Sequence, residues 1–222
     1  MQTYSKKGNH TKMQMINTAK QLFYEYGYSS ITIKEICEKS GMLKSGFFYY
    51  FKDKTDLVNY ISYLVNMDLY QELSEESKTF SMNPKIRSIY MAMAFFYQIL
   101  ADEKLSKFYG ELFQDNPNLF FNDDSYKAKI AETYSAFGND PKDHEFPLLY
   151  VFYPATAGSM INGYRSGKFN VSKEEVVLYM VRQLLLALHV EEKQTTIVAQ
   201  EALGYLKRSK IVFRDIFLKT LK

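Results

Sequence analysis

From Lys44 to Lys54 the chain reads Lys-Ser-Gly-Phe-Phe-Tyr-Tyr-Phe-Lys-Asp-Lys, which sets a cation, a hydroxyl, a bare backbone position and several rings side by side. Each has a use against the edge of a base pair. Lys44 can donate to guanine O6 or N7, Ser45 to several base edges, and Phe48 can lie flat against a thymine methyl. Gly46 lets a backbone come close, and Tyr49 falls on the same side. Tyr50 and Lys54 are suited to phosphates, as are Thr32 and Lys34 a little upstream, where a helix N-terminus would add its positive end. This chemistry reads a duplex and breaks no bond.

Such side chains reach base edges only when a helix carries them into the major groove, so the flanking elements must form a support. From about Thr11 to Tyr26, Met15, Ile16, Ala19, Leu22, Phe23 and Tyr26 keep the three- and four-residue spacing of an amphipathic helix. Gly27 ends it. Thr32 with Glu35 three residues on is a capping box that opens a short second helix, whose Ile33, Ile36 and Cys37 face inward. Gly41 supplies a turn, and the third helix runs from Lys44 to Phe51. Phe47 and Phe51, four apart, lock it onto the other two. Residues 1–8 read as a disordered basic arm.

Charge agrees with an anionic partner at one end. Residues 1–56 hold nine lysines against five acids, a net +4, whereas the remainder nets −1 within an overall +3. A basic lobe on a near-neutral body fits a polyanion bound locally. The 222 residues include 19 Tyr, 17 Phe and 10 Met but only 10 Gly and 5 Pro, which favours long helices around an aromatic core. One cysteine excludes an internal disulfide and suits a reducing cytoplasm. Cys37 is expected as a buried structural thiol. His10, His144 and His189 lack the spacing of metal ligands. With no phosphate loop, dinucleotide fingerprint or triad order, no catalytic residue, metal or cofactor is expected. The longest uncharged run, 146–164, is too polar and too broken to cross a membrane.

Past Asp53, which caps a long helix to about Ser77, the break at Ser81-Met82-Asn83-Pro84 precedes helices expected at 84–101, 103–114, 123–137, 143–166, 172–190 and 194–220. The fold expected is all-α, with about nine to ten helices. A three-helix helix-turn-helix domain occupies 1–56, and a larger helical domain for ligand binding and dimerisation occupies 57–222.

About 45 of the first sixty residues closely resemble the N-terminal domain of TetR-family transcriptional regulators, and beyond residue 60 the resemblance is one of helix count and length. The resemblance rests on Leu22-Phe23, Gly27-Tyr28, Thr32-Ile33-Lys34-Glu35-Ile36 and the unbroken string Gly41 to Leu57. Three positions depart from the family pattern. Leu43 stands where a serine usually caps the third helix, at a cost of about 1 kcal/mol. Gly46 replaces threonine at a similar cost of about 1 kcal/mol within a helix. Phe48 replaces a tyrosine and so loses a hydroxyl. These departures imply that reading leans on apolar and backbone contact.

The resemblance further implies a repressor released from a near-palindromic double-stranded operator by a small hydrophobic or amphipathic effector. It also implies a homodimer joined through helices 142–166 and 172–190, in which Ala155, Ala157, Gly158 and Ser159 permit close approach. For the effector pocket the expected residues are Tyr90, Met93, Phe96, Phe113, Tyr126, Tyr134 and Tyr153. The alternative is a regulator-derived protein that binds another protein or sequesters a ligand.

Overall fold

The computed structural model describes residues 6–116, 119, 124–142 and 146–221, and within these not the side chains of Lys6, Lys7, Ser125, Tyr126, Tyr150, Val151, Tyr153 and Pro154. All regular structure among the described residues is helical. The elements are α1 (Lys6–Tyr26), α2 (Ile33–Ser40), α3 (Lys44–Tyr50), α4 (Lys54–Thr79), α5 (Pro84–Ala101), α6 (Glu103–Asp115), α7 (Asp124–Ala136), α8 (Phe146–Arg165), α9 (Lys173–Ala187), α10 (Glu192–Leu206) and α11 (Phe213–Leu218). None is long and apolar enough to cross a membrane.

Local chemistry sets most of the boundaries. Asn83, Asp102 and Ser172 cap α5, α6 and α9 with their side chains, and Ser172 pairs with Glu175 in a capping box. Gly138 and Gly167 adopt positive φ where the chain leaves α7 and α8. Two expectations fail. First, α1 starts at Lys6 instead of near Thr11, so residues 6–8 of the expected disordered arm are helical, and residues 1–5 lie outside the described residues. Gly8 and Asn9 lower helix propensity there, yet the turns beyond them pack through Met13, Met15 and Ile16, and packing overrides propensity.

Second, the single last helix expected at 194–220 is two. It stops at Leu206 and resumes at Phe213. Leu206 and Phe213 are seven residues apart, so the apolar stripe resumes in phase after the gap. The positions between them on that stripe are Ser209 and Lys210. The Ser209 hydroxyl donates to the Glu76 carboxylate at 2.6 Å and the Lys210 N–H at 3.1 Å, which turns the backbone out of the helix.

Helix α5 lies at the centre of the body and touches α4, α6 to α11 among the described elements. Its Ile86, Ile89, Tyr90, Met93, Ala94, Phe96, Ile99 and Leu100 are all buried. Helices α6 and α8 form the most extensive pair. Gly110 and Gly158 permit it: a Cβ on Gly110 would sit 2.2 Å from Asn162 Oδ1, and one on Gly158 2.9 Å from Phe113 Cβ and 3.0 Å from the Gln114 backbone nitrogen. Asn162 Nδ2 then donates to the Gly110 carbonyl at 3.0 Å and to Gln114 Oε1 at 2.9 Å. Ala157 and Gly158 therefore pack within the subunit, while Ala155 and Ser159 face outward.

Candidate nucleic-acid interface

Three short elements build the recognition unit. At Thr32 both halves of the capping box form. The Glu35 N–H donates to Thr32 Oγ1 at 3.3 Å, and Thr32 N–H and Oγ1 donate to Glu35 Oε2 at 2.8 and 2.7 Å. Those hydrogen bonds from Thr32 hold the Glu35 carboxyl below its ordinary range. Gly41 has φ 69°, and the Met42 N–H closes on the Cys37 carbonyl at 2.8 Å, which ends α2 and aims α3. Cys37 is buried beneath, its thiol pushed up by desolvation.

Helix α3 has two opposite faces. Phe47 and Phe51 are buried with their ring centroids 5.9 Å apart, and Lys12 of α1 places its ammonium 5.1 Å from Phe51 and 3.9 Å from Tyr60. Opposite them, Leu43 is 80% exposed, Tyr49 65% and Phe48 50%. Lys44 and Ser45 are exposed beside them, and the Lys44 ammonium lies 6.0 Å from the Phe48 ring. Gly46 is half-buried, with the Met42 methyl 3.2 Å from the place of a Cβ. Leu43 makes no side-chain cap, so α3 starts uncapped as its sequence indicates. Tyr50 is half-buried, with its ring edge-on to Tyr49 at 4.9 Å. Lys34 stands exposed on α2, 3.8 Å from Glu38.

Lys54 departs from the expectation. Its ammonium turns inward, donating to the Tyr28 and Ile31 carbonyls at 3.0 Å each and lying 4.1 Å from the Tyr28 ring. Desolvation there lowers its pKa. The cause is the α1–α2 turn, whose carbonyls lack helical partners and point at the start of α4. The other side of that turn is held by α6: Ser29 donates from its N–H to Glu111 at 2.9 Å and from its hydroxyl to Asp115 at 2.8 Å. Gly27, with φ 84°, leaves no room for a Cβ against Glu111. Lys104 of α6 pairs with Glu25 of α1 at 2.5 Å, and Tyr24 donates to Asp102 at 2.9 Å, so the Tyr24 phenol is pushed up to about 12 by burial and that carboxylate.

In the body, Tyr90, Met93, Phe96, Phe113 and Tyr134 are buried, and the side chains of Tyr126 and Tyr153 lie outside the described residues. Phe95 bridges Phe96 and Phe113, with centroids 5.2 and 6.5 Å away. Tyr90 donates to Glu76, and burial pushes its phenol up. Tyr134 packs on Phe146 at 5.0 Å. Sequence reasoning passed over Tyr109, which is fully buried among Phe95, Phe108, Phe113, Phe213 and Phe217, with no hydrogen-bond partner for its hydroxyl among the described residues. The signal was available, since Leu105, Phe108, Tyr109, Leu112 and Phe113 share one face of α6.

A second exposed surface lies on the adjacent helices α8 and α9. Leu148 and Phe152, four apart, are exposed on α8, and Ala155 and Ser159 continue their face. On α9, Tyr179 and Leu186 are exposed seven apart. Among the described residues no group of three or more His, Cys, Asp or Glu side chains is arranged to hold a metal ion.

Residues 15–61 match the family described as bacterial regulatory proteins, tetR family. The transposon Tn10 TetC protein of Escherichia coli is similar over 62 residues at 36% identity, which covers 27% of this chain and 32% of that protein. The chain thus spans about a third of the length of this curated relative.

Proposed function

We propose that this chain, a member of the tetR family of bacterial regulatory proteins and hence a DNA-binding transcriptional regulator, acts as a dimeric repressor that leaves its operator when a small apolar or amphipathic effector binds. In this reading residues 1–56 read DNA, and 57–222 take the effector and the partner subunit. The exposed face of α3 carries the reading: a cation, a hydroxyl and two rings stand outward beside the half-buried Gly46, on a helix whose other face is fixed by Phe47 and Phe51.

Lys44 and Ser45 are the proposed donors to base edges, Phe48 and Leu43 the proposed contacts to thymine methyls, and Gly46 the point of closest approach. Tyr49, Tyr50, Lys34 and Thr32 flank them for phosphates, with the Thr32 hydroxyl already engaged by Glu35. Lys54 drops out of the contact set and becomes a residue that positions the α1–α2 turn.

The partner proposed for the α8–α9 surface is a second copy of the chain, whose Leu148, Phe152, Tyr179 and Leu186 would cover these. Two recognition helices related by a two-fold axis then meet half-sites about one turn, roughly 34–36 Å, apart. The effector site is proposed among Tyr90, Met93, Phe96, Phe113 and Tyr134, with Tyr126 and Tyr153 as further candidates. Release follows if effector favours a body in which α6 is displaced, because Glu111 and Asp115 of α6 grip Ser29. Selection from a random duplex pool tests the reading. Binding that weakens steeply with salt separates it from a protein-interaction or ligand-sequestering role. A small-molecule thermal-shift screen that finds no stabilising compound removes the effector.

A further inference from the structure

The segment that follows α10 is held like a bound peptide, and its two ends are held by different parts of the molecule. At the body end, Glu76 near the C-terminus of α4 takes the Ser209 hydroxyl and the Lys210 N–H. Gln98 of α5 then clamps the backbone on both sides of Val212, donating to the Ile211 carbonyl at 2.7 Å and accepting from the Phe213 N–H at 3.3 Å. Phe213 and Phe217 insert side by side. The first lies 5.6 Å from Phe95 and 5.9 Å from Tyr109, the second 5.3 Å from Phe108 and 6.4 Å from Tyr24 of α1.

At the far end the contacts belong to α1. The Lys20 ammonium, 1% exposed, donates to the Lys219 carbonyl at 2.7 Å. Asn17 reads both backbone groups of Leu221, each at 2.9 Å. Lys219 reaches Asp68 of α4 at 3.5 Å. The segment therefore runs back along α4 from Glu76 past Asp68, a distance of about 12 Å of helix, and ends on the first helix of the DNA-reading lobe.

We infer that residues 209–221 are a strap that fixes the pose of the DNA-reading lobe against the body, and so sets operator affinity from a place that touches no DNA. The physical reason is the division of its contacts. The Phe213 ring is committed to α5 and α6 and the Phe217 ring bridges α6 and Tyr24 of α1, whereas the backbone groups of Lys219 and Leu221 are committed to α1 alone. A rotation of the lobe must break the α1 contacts or withdraw the rings. A strap that holds one pose raises the fraction of molecules ready to bind, and affinity falls with that fraction when it is loosened. The inference rests on the reading that the pose of two lobes must match one operator.

The test uses the full chain carrying Asn17→Ala and Lys20→Met, with duplexes selected from a random pool by the unaltered protein as probe. Hydrogen exchange should quicken in residues 213–221 and along α1, but not in α9 or α10. Specific binding should weaken by about fivefold to tenfold, within the range of coupling between separate sites, with an unchanged salt slope and oligomeric state. Unchanged affinity despite faster exchange overturns the inference, because the strap then adds stability alone. An unchanged exchange pattern overturns it too, and a shallower salt slope would instead place the tail on the DNA. Should the double variant fail to fold, Asn17→Ala alone carries the same readouts. Tyr49→Ala in parallel separates the two readings: if it leaves specific binding intact, the recognition face is wrong whatever the strap does.

Discussion

Lys54→Met separates two roles that the sequence leaves superimposed. A lysine at a phosphate contributes to the salt dependence of binding, whereas a lysine tied to carbonyls contributes to folding. The structure gives Lys54 two carbonyl partners at 3.0 Å and one ring at 4.1 Å. Each hydrogen bond contributes about 1 kcal/mol net and the ring contact about 0.5 kcal/mol, since the side chain is only half-buried. Methionine keeps the apolar stem, so the loss should be about 2.5 kcal/mol, read as a lower urea midpoint at unchanged slope. The salt slope of duplex binding should hold constant. Had the ammonium met a phosphate, the slope would fall by about 0.9, as it should for Lys34→Ala if Lys34 meets a phosphate. A Lys54→Met protein of normal stability with a shallower salt slope refutes the inward assignment.

Three other perturbations probe separate links. Gly158→Ala sets a Cβ 2.9 Å from Phe113 Cβ and 3.0 Å from the backbone nitrogen of Gln114, neither of which is a flexible chain end, so thermal unfolding should show a loss of about 1–3 kcal/mol. Thr32→Ala removes the capping box and should cost about 1 kcal/mol by urea titration. The buried Lys20, beside Asp68 and Lys219, has its pKa lowered to about 8, chiefly by desolvation. Its folded value lies below the unfolded one, so the folded chain binds fewer protons between them, and stability must rise with pH across that window. The gain from pH 8 to 9.5 should be on the order of 1 kcal/mol in the unaltered protein relative to Lys20→Met, measured by paired urea titrations.

What was legible in the sequence was local. Thr32 and Glu35, Gly41, Asp53, and the Phe47–Phe51 pair act over a few residues, and each does in the structure what its type and spacing indicate. The unusual start of α3 at Leu43 was legible for the same reason. What failed depends on partners far away in the chain. Lys54 turns toward carbonyls 23 and 26 residues earlier. The gap after Leu206 answers to Glu76, 133 residues before Ser209, and no period in the local sequence carries that information. Ala157 and Gly158 read as small residues fit for a partner subunit, but the neighbour that needs them small is α6 of the same chain. Within the candidate site, residue types and spacing indicated which side of α3 is exposed, while the direction of the Lys54 side chain depended on unsatisfied backbone elsewhere.

The most direct test of the central claim is selection of bound sequences from a random duplex pool by the unaltered protein. The account expects an inverted repeat whose half-site centres lie about one helical turn apart, and its loss from the selected pool when Lys44→Ala and Tyr49→Ala are combined. A pool without enrichment, or an inverted repeat selected equally well by the double variant, contradicts it.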